Sequence, residues 1–359
     1  MAKVLMKGNE AIAEAAVRAG CRNYFAYPIT PQSEVAEYLS RRLPEVGGVF
    51  LQGESEVAVS YMIFGAAAAG ERVFTTSSSP GISLMSEGLS YIAAAELPCV
   101  LVNIMRGGPG LGGILPSQAD YFQAVKGGGH GDYRLLVLAP ASVQEAVEMM
   151  MEAFGLAEKY LNPVMILGDG LIGQMMEPVA FPEQLKRDPP SPDGWATNGM
   201  DRRGSDRRNL IRTLHLVPAE LNAHNLKLKA KYERMRREEV RWESYAVDPE
   251  IRLLLVSYGT MSRVCRTAID RLREEGIPAG MIRPQTLFPF PREAIFAAAG
   301  QPRVQAVLSV EMSMGQLVED VEWAVRGARP VFWYGKCGGE VPTPEDVMEE
   351  ARRVLRETA

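Results

Sequence analysis

Through the first ~180 residues of this chain, short apolar runs of strand character alternate with longer runs whose apolar residues recur at helical spacing. The runs at 23–26, 48–51, 73–75, 99–105, 135–138 and 164–167 read as strands. Those at 33–46, 56–70, 82–95 and 142–160 read as helices, the last with Ser142 as its N-cap. Such alternation implies an α/β fold in which helices wrap a parallel sheet. Sheets of that kind bind ligands beyond the carboxyl ends of their strands, so the residues leaving each run are where chemistry is expected.

Four of those exits carry polar side chains in unusual settings. Tyr27-Pro28-Ile29-Thr30-Pro31 leaves the first run, and its two prolines hold Ile29 and Thr30 out of the helical region, so Thr30 is either a helix cap or a ligand contact on a stiff corner. Glu54-Ser55-Glu56 opens a helix that is apolar on nearly every face and should therefore be buried. Acids in a first turn suit the helix dipole, but a carboxylate leading a buried helix also needs a partner or a ligand to offset its desolvation. Ser77, Ser78 and Ser79 gather hydroxyls before the next helix, as an ordinary cap or as a site for anions and polar ligand edges. Arg106 then leads Gly107-Gly108-Pro109-Gly110-Leu111-Gly112-Gly113, where almost bare backbone lets a ligand approach and a guanidinium offers a planar fork for a carboxylate.

With 359 residues, 47% of them hydrophobic and 23% charged, the chain can bury more than one core. The expected division is a ligand-binding domain over 1–181, a charged linker and helical arm over 182–248, and a smaller α/β domain over 249–359. Segments 186–194 and 201–208 are polar and turn-rich, and the basic stretch 227–241 is interrupted by Glu233, Glu238 and Glu239, which favours an arm packing on a partner over one binding nucleic acid. A net charge of −5 also argues against nucleic acid, and neither a signal-peptide core at residues 1–7 nor a membrane-length apolar run is present, so a cytoplasmic location is expected. Cys21, Cys99, Cys265 and Cys337 are too scattered for a metal cluster and read as buried thiols; any redox clusters belong to another chain.

Three further motifs read as structural. Gly168-Asp169-Gly170 followed by Asn198 approaches the spacing of a diphosphate and Mg2+ motif, but the asparagine falls in the linker, where the rigid support a metal ligand needs is missing, so no metal ligand is assigned. His130, among glycines, reads as a backbone-bonded loop residue. Gly335-Lys336-Cys337-Gly338-Gly339 reads as a tight turn before the last helix rather than an anion cradle.

Taken together, YPITP, ESE before an Ala/Gly helix, TTSSSPGISLM, NIMRGGPG and GGGHGDYRLLVLAP resemble the α subunit of the 2-oxoacid:ferredoxin oxidoreductases, most nearly the branched-chain type acting on 3-methyl-2-oxobutanoate. The resemblance covers nearly the whole chain, including YGKCGGEVPTPE near its end. It implies a pyrimidine-binding thiamine diphosphate domain followed by a transketolase C-terminal-like α/β domain. Glu56, rather than Glu54, matches the carboxylate that hydrogen-bonds N1′ of the aminopyrimidine; Thr30 and Arg106 match substrate contacts, and Tyr27, Pro28, Ser77, Ser78 and Ser79 match residues beside the cofactor. The implied reaction is oxidative decarboxylation to an acyl-CoA and CO2 with reduction of ferredoxin. The implied partners are a β subunit holding the diphosphate and Mg2+, γ and ferredoxin-like δ subunits, iron-sulfur clusters outside this chain, and external ferredoxin. A 2-oxoglutarate enzyme and a non-catalytic structural subunit are the alternatives. A second substrate carboxylate would need a second cation, which the glycine loop lacks.

Overall fold

The computed structural model describes residues 3–182, 191–199 and 208–358. Its main sheet has seven strands: β2 (Asn23–Ala26), β3 (Val49–Gln52), β4 (Val73–Ser77), β5 (Val100–Met105), β6 (Leu136–Leu138), β7 (Val164–Asp169) and β12 (Thr286–Phe288). Across the sheet they run β12-β6-β7-β5-β4-β2-β3, all parallel except β12. The central strands β5 and β7 are buried at every residue, as their continuous apolar runs require of strands covered on both faces. Helices α1 (Gly8–Arg18), α2 (Ser33–Glu45), α3 (Glu56–Ala68), α4 (Pro80–Ala94) and α5 (Val143–Tyr160) supply that cover.

A second sheet, ordered β14-β13-β10-β11-β9, holds β10 (Leu253–Val256), β11 (Ala279–Pro284), β13 (Ala306–Glu311) and β14 (Val331–Gly335), with β9 (Trp242–Tyr245) antiparallel on its edge. Between its helices Met261–Glu274 and Arg292–Ala299 the chain reaches back as β12 and pairs with β6, Thr286 opposite Leu138. The two sheets are therefore joined by a strand as well as by covalent sequence. Arg283 of β11 reinforces the joint with a bidentate pair to Glu145 of α5, at 2.8 and 2.9 Å. Burial opposes ionisation of Glu145, yet the Arg283 guanidinium and the Ala141 N–H outweigh it and hold the carboxyl below its ordinary value.

Several expectations change against this frame. The arm helix Pro218–Glu238 packs by one narrow face on its own chain. It buries Leu228, Tyr232 and Met235, Lys231 pairs with Glu96 at 3.3 Å, and Tyr160 donates to Glu239 at 2.7 Å. Its mean character is polar, but three apolar residues on one face suffice once a complementary surface exists. Of the polar linker, 186–190 and 201–207 lie outside the described residues. Helix α3 is not buried all round: Val57 and Tyr61, 40% and 42% exposed, begin a stripe at i, i+4 spacing that continues through exposed Gly65. Among the cysteines, Cys21, Cys99 and Cys265 are buried as expected, but Cys337 is exposed because it sits on a glycine loop and not in a packed element. Burial pushes the three enclosed thiols up to about 12, so they are inert. Among the described residues no helix is long and apolar enough to cross a membrane.

Candidate functional site

The carboxyl ends of β5, β4, β2 and β3 lie side by side, and in that spatial order they deliver Arg106, the Ser77–Ser79 turn, the Tyr27–Thr30 corner and Glu56. Each is presented by a local device. At β3, Ser55 caps α3 by accepting from Ala58 N at 3.2 Å, which fixes Glu56 as the first helical residue. Glu56 is 6% exposed while Glu54 is exposed, so the two neighbouring acids have different surroundings. The Glu56 side chain reaches toward the start of α4. A Cβ built on Gly81 would stand 2.8 Å from Glu56 Oε1 and 2.1 Å from Ser77 Oγ, so only glycine leaves that space open. Among the described residues the Glu56 carboxylate has no hydrogen-bond or ion-pair partner; the Ser77 hydroxyl across the Gly81 gap is buried and unpaired, as is that of Ser78.

At β4 the chain turns through Ser79, whose φ of +25° is strained for a residue with a side chain. Three neighbours hold it there. Ser79 N donates to Asn103 Oδ1 at 3.1 Å, Ser79 Oγ donates to Asp120 Oδ2 at 2.7 Å, and Arg106 N donates to Ser79 Oγ at 3.0 Å. Asn103 Nδ2 closes the ring by donating to the same Asp120 oxygen at 2.9 Å. Burial raises the Asp120 carboxyl above its ordinary value, against the opposing pull of Ser79, Asn103 and the Arg106 charge. Neither Asn103 nor Asp120 is a candidate by sequence: Asn103 heads the NIMRGGPG stretch but sits inside an apolar strand, and Asp120 lies fourteen residues beyond Arg106, past the glycine loop. A polar residue within the run 99–105 was the one available signal.

Arg106 itself is 6% exposed. Its Nη1 donates to Thr30 O at 2.8 Å and its Nη2 to Leu111 O at 3.2 Å, while Nε is buried without a partner. No carboxylate pairs with it among the described residues. Thr30 is exposed and does not cap α2, whose N-cap is Gln32; Tyr27 is 37% exposed on the same rim. Thr30 thus meets Arg106 through its backbone, leaving its hydroxyl toward the opening. Leu111, Ile114 and Leu115, 82%, 58% and 58% exposed, stand around the glycine loop. The 335–339 loop packs there as well, with Gly338 3.2 Å from where a Cβ on Gly107 would lie, so its glycines serve a close approach between loops.

The other motifs fall elsewhere. Asp169 caps helix α6 (Gly170–Gln174), accepting from Leu171 N at 2.9 Å and Ile172 N at 3.2 Å, and also receives the Thr260 hydroxyl from the second sheet. Asn198 lies in a loop held to the far end of α3 through Thr197 N and Ala68 O, at 2.8 Å, and does not approach Asp169. His130 contacts the Ser90 hydroxyl at 3.3 Å instead of backbone, with its ring edge-on to Tyr91.

An unpartnered carboxylate on a buried residue, with an orphaned hydroxyl across a glycine-made gap, suits a flat, nitrogen-bearing ring that donates to the acid. The family model for the thiamine diphosphate-binding part of pyruvate flavodoxin/ferredoxin oxidoreductase matches residues 14–241. The chain belongs to the 2-oxoacid:ferredoxin oxidoreductase family. The model for pyruvate:ferredoxin oxidoreductase core domain II matches residues 252–347 of this oxidoreductase subunit. It is 48% identical to the ketoisovalerate oxidoreductase subunit VorB of Methanothermobacter thermautotrophicus over 100% of both chains. It is 34% identical to the 2-oxoglutarate synthase subunit KorA of the same organism over 98% of each. A solved 2-oxoglutarate:ferredoxin oxidoreductase from Magnetococcus marinus, with 2-oxoglutarate, coenzyme A and succinyl-CoA bound, superposes with a TM-score of 0.87 at 28% identity. That match covers 98% of this chain and 65% of the solved one. Relatives named as subunits place chains of this kind in hetero-oligomers.

Proposed function

We propose that this chain is the subunit that receives the aminopyrimidine of thiamine diphosphate in a branched-chain 2-oxoacid:ferredoxin oxidoreductase, converting 3-methyl-2-oxobutanoate and similar acids to acyl-CoA and CO2. The carrying observation is the Glu56 carboxylate, on a residue 6% exposed and without a partner among the described residues, on the same sheet edge as an Arg106 guanidinium that donates only to carbonyls and leaves its Nε unpaired. A carboxylate drawn out of water needs a donor, and a bound ligand of the right polarity supplies one.

When bound, thiamine diphosphate supplies the carbon nucleophile for the 2-oxo group and the sink for the electron pair released with CO2. Glu56 holds a proton at the ring nitrogen it faces, in a pocket where Gly81 leaves room and Ser77 and Ser78 offer hydroxyls. Arg106 steadies the substrate carboxylate, and Thr30 presents its hydroxyl on the same rim, with Tyr27 and Pro28 shaping the corner. Asp120 and Asn103 hold Ser79, and through it the backbone of Arg106, in register. Leu111, Ile114 and Leu115 give the mouth an apolar lining, which favours a branched aliphatic acyl chain over a second carboxylate. The 48% identity to a ketoisovalerate oxidoreductase subunit supports the same choice.

The diphosphate and Mg2+ belong on a β subunit in this reading. The uncovered apolar stripe on α3, with exposed Val49 and Leu51 on edge strand β3 and Leu84 on α4, supports a protein partner at that side of the site. Iron-sulfur clusters reside on a ferredoxin-like δ subunit, a γ subunit completes the assembly, electrons pass to external ferredoxin, and the complex works in the cytoplasm. Comparing kcat/KM of the reconstituted complex on 3-methyl-2-oxobutanoate and 2-oxoglutarate tests the reading. A preference of about tenfold or more for the branched acid is expected. A preference for 2-oxoglutarate contradicts the substrate assignment, and inactivity on every 2-oxoacid contradicts the catalytic one.

A further inference from the structure

Away from this site lies a cavity of about 450 Å3, walled by the 125–134 segment, the end of the arm helix, the residues after β12 and the helix Leu317–Val325. Because β12 runs antiparallel to β6, Phe288 and Pro289 lead to the amino edge of the parallel sheet, whereas Glu56 and Arg106 occupy its carboxyl edge. The two cavities are on opposite sides of the molecule's main sheet.

The charge balance there departs from that of the chain as a whole. Lys126, Arg134, Arg236 and Arg292 face Glu293 and Asp320, in a protein whose net charge is −5. Both acids are already engaged: Asp320 takes Lys126 at 2.6 Å and the Tyr121 hydroxyl at 2.7 Å, and Glu293 pairs with Arg326. Three arginines are therefore left without a carboxylate. Arg134 bonds only the backbone carbonyls of Lys126 and Tyr133, each at 3.0 Å. Arg236 lies over the Phe288 ring at 5.4 Å and Arg292 stacks on Trp323, and neither makes a hydrogen bond or an ion pair among the described residues.

Arg292 is half-buried, and desolvation lowers it to about 10 against the opposing pull of the Asp320 charge, so it remains charged at neutral pH with no carboxylate in hydrogen-bond contact among the described residues. It also opens the helix Arg292–Ala299, whose N-cap Pro291 supplies no capping side chain, adding the positive end of a helix to the same cavity. Trp323 and Trp242, 53% and 44% exposed, stand on its rim, Trp323 with Arg292 stacked on one face and Trp242 with indole surface free. Planar guanidinium forks suit phosphate oxygens, and free indole faces suit a flat ring. The volume lies in the range of small-ligand sites.

We propose that this cleft is a second ligand site, for a phosphate anion that carries a flat heteroaromatic ring: a nucleotide by class, either free or as the nucleotide end of coenzyme A. Arg292 and Arg236 hold the phosphates, and Trp323 and Trp242 take the ring. The assignment is independent of the role given to Glu56.

The full chain is titrated with ADP, coenzyme A and inorganic diphosphate, by calorimetry and by tryptophan fluorescence. ADP should bind saturably below about 1 mM and weaken with added salt. Arg292→Gln and Arg236→Gln should each weaken it at least about tenfold, Trp323→Leu should weaken ADP more than diphosphate, and Glu56→Gln should leave it unchanged. Coenzyme A binding as tightly as ADP identifies the carrier of the nucleotide, and ADP alone identifies a free one. On the unaltered protein, photolabelling with 8-azido-ADP should mark peptides containing Trp242 or Trp323. No saturable binding by any probe, binding indifferent to both arginines, or labelling confined to the residues around Glu56 overturns the proposal.

Discussion

Glu56 and Asp169 occupy equivalent places, each a buried acid at the exit of a main-sheet strand, beside the start of a helix and next to a suggestive short motif, yet their surroundings are opposite. Asp169 is 1% exposed and fully engaged, by two backbone N–H groups and the Thr260 hydroxyl. Glu56 is 6% exposed and has no hydrogen-bond or ion-pair partner among the described residues. Folding alone accounts for Asp169, whereas Glu56 calls for a ligand. Satisfaction of its hydrogen bonds, rather than burial or motif, separates a structural acid from a functional one.

Exchanging these two acids for their amides should give the largest contrast. In the assembled complex, Glu56→Gln should lower kcat by about 10²–10⁴, while the melting temperature stays level or rises, since an uncompensated charge is removed. Asp169→Asn should instead destabilise by roughly 1–3 kcal/mol, because the amide cannot satisfy three donors, with activity per folded molecule largely kept. Loss of stability from Glu56→Gln, or loss of turnover from Asp169→Asn without unfolding, breaks the comparison.

Gly81→Ala should come next, because the added methyl would sit 2.8 Å from Glu56 Oε1. Thiamine diphosphate binding should weaken by about tenfold or more, while the same change at exposed Gly155 on α5, with open space around it, should leave binding unchanged. Arg106→Lys should raise KM for the 2-oxoacid by about tenfold, with a smaller change in kcat, since the charge survives and the fork does not.

The smallest effect concerns pH. The Glu145 carboxyl is lowered below 4.5 by its arrangement with Arg283, so its contribution is present above about pH 4.5 and is lost as pH falls through the folded value. Asp169 and Asp120 are raised above 3.8 by burial, so folding binds their protons and their contribution declines as pH rises through that window. The two effects oppose each other on acidification, so the test is the difference: between about pH 5 and pH 3 the urea midpoint of the wild type should move downward relative to that of Glu145→Gln, which lacks the Glu145 contribution.

The alternation of runs made the parallel sheet readable, and the four strand exits do converge along one edge, in the order Arg106, Ser77–Ser79, Thr30, Glu56. What sequence periodicity could not convey was partnership between distant segments. Strand β12 is three residues long and belongs by sequence to the second sheet, so nothing local announces that it pairs with β6. The arm helix looks solvated because its apolar face is only Leu228, Tyr232 and Met235 wide, and the surface that receives them is more than 60 residues away, at Glu96 and Tyr160. The Asp120 clamp escaped for the same reason. Conversely, α3 reads as buried because its side chains are apolar, while no described residue covers Val57 and Tyr61 fully.

The central claim is that Glu56 holds the proton of the cofactor's aminopyrimidine and so promotes loss of the C2 proton of thiamine diphosphate. It is tested most directly by the rate of C2 hydrogen–deuterium exchange, followed by NMR in the reconstituted complex before any 2-oxoacid is added. Glu56→Gln should slow that exchange by about 100-fold or more with the cofactor still bound. Exchange at the wild-type rate would contradict the account.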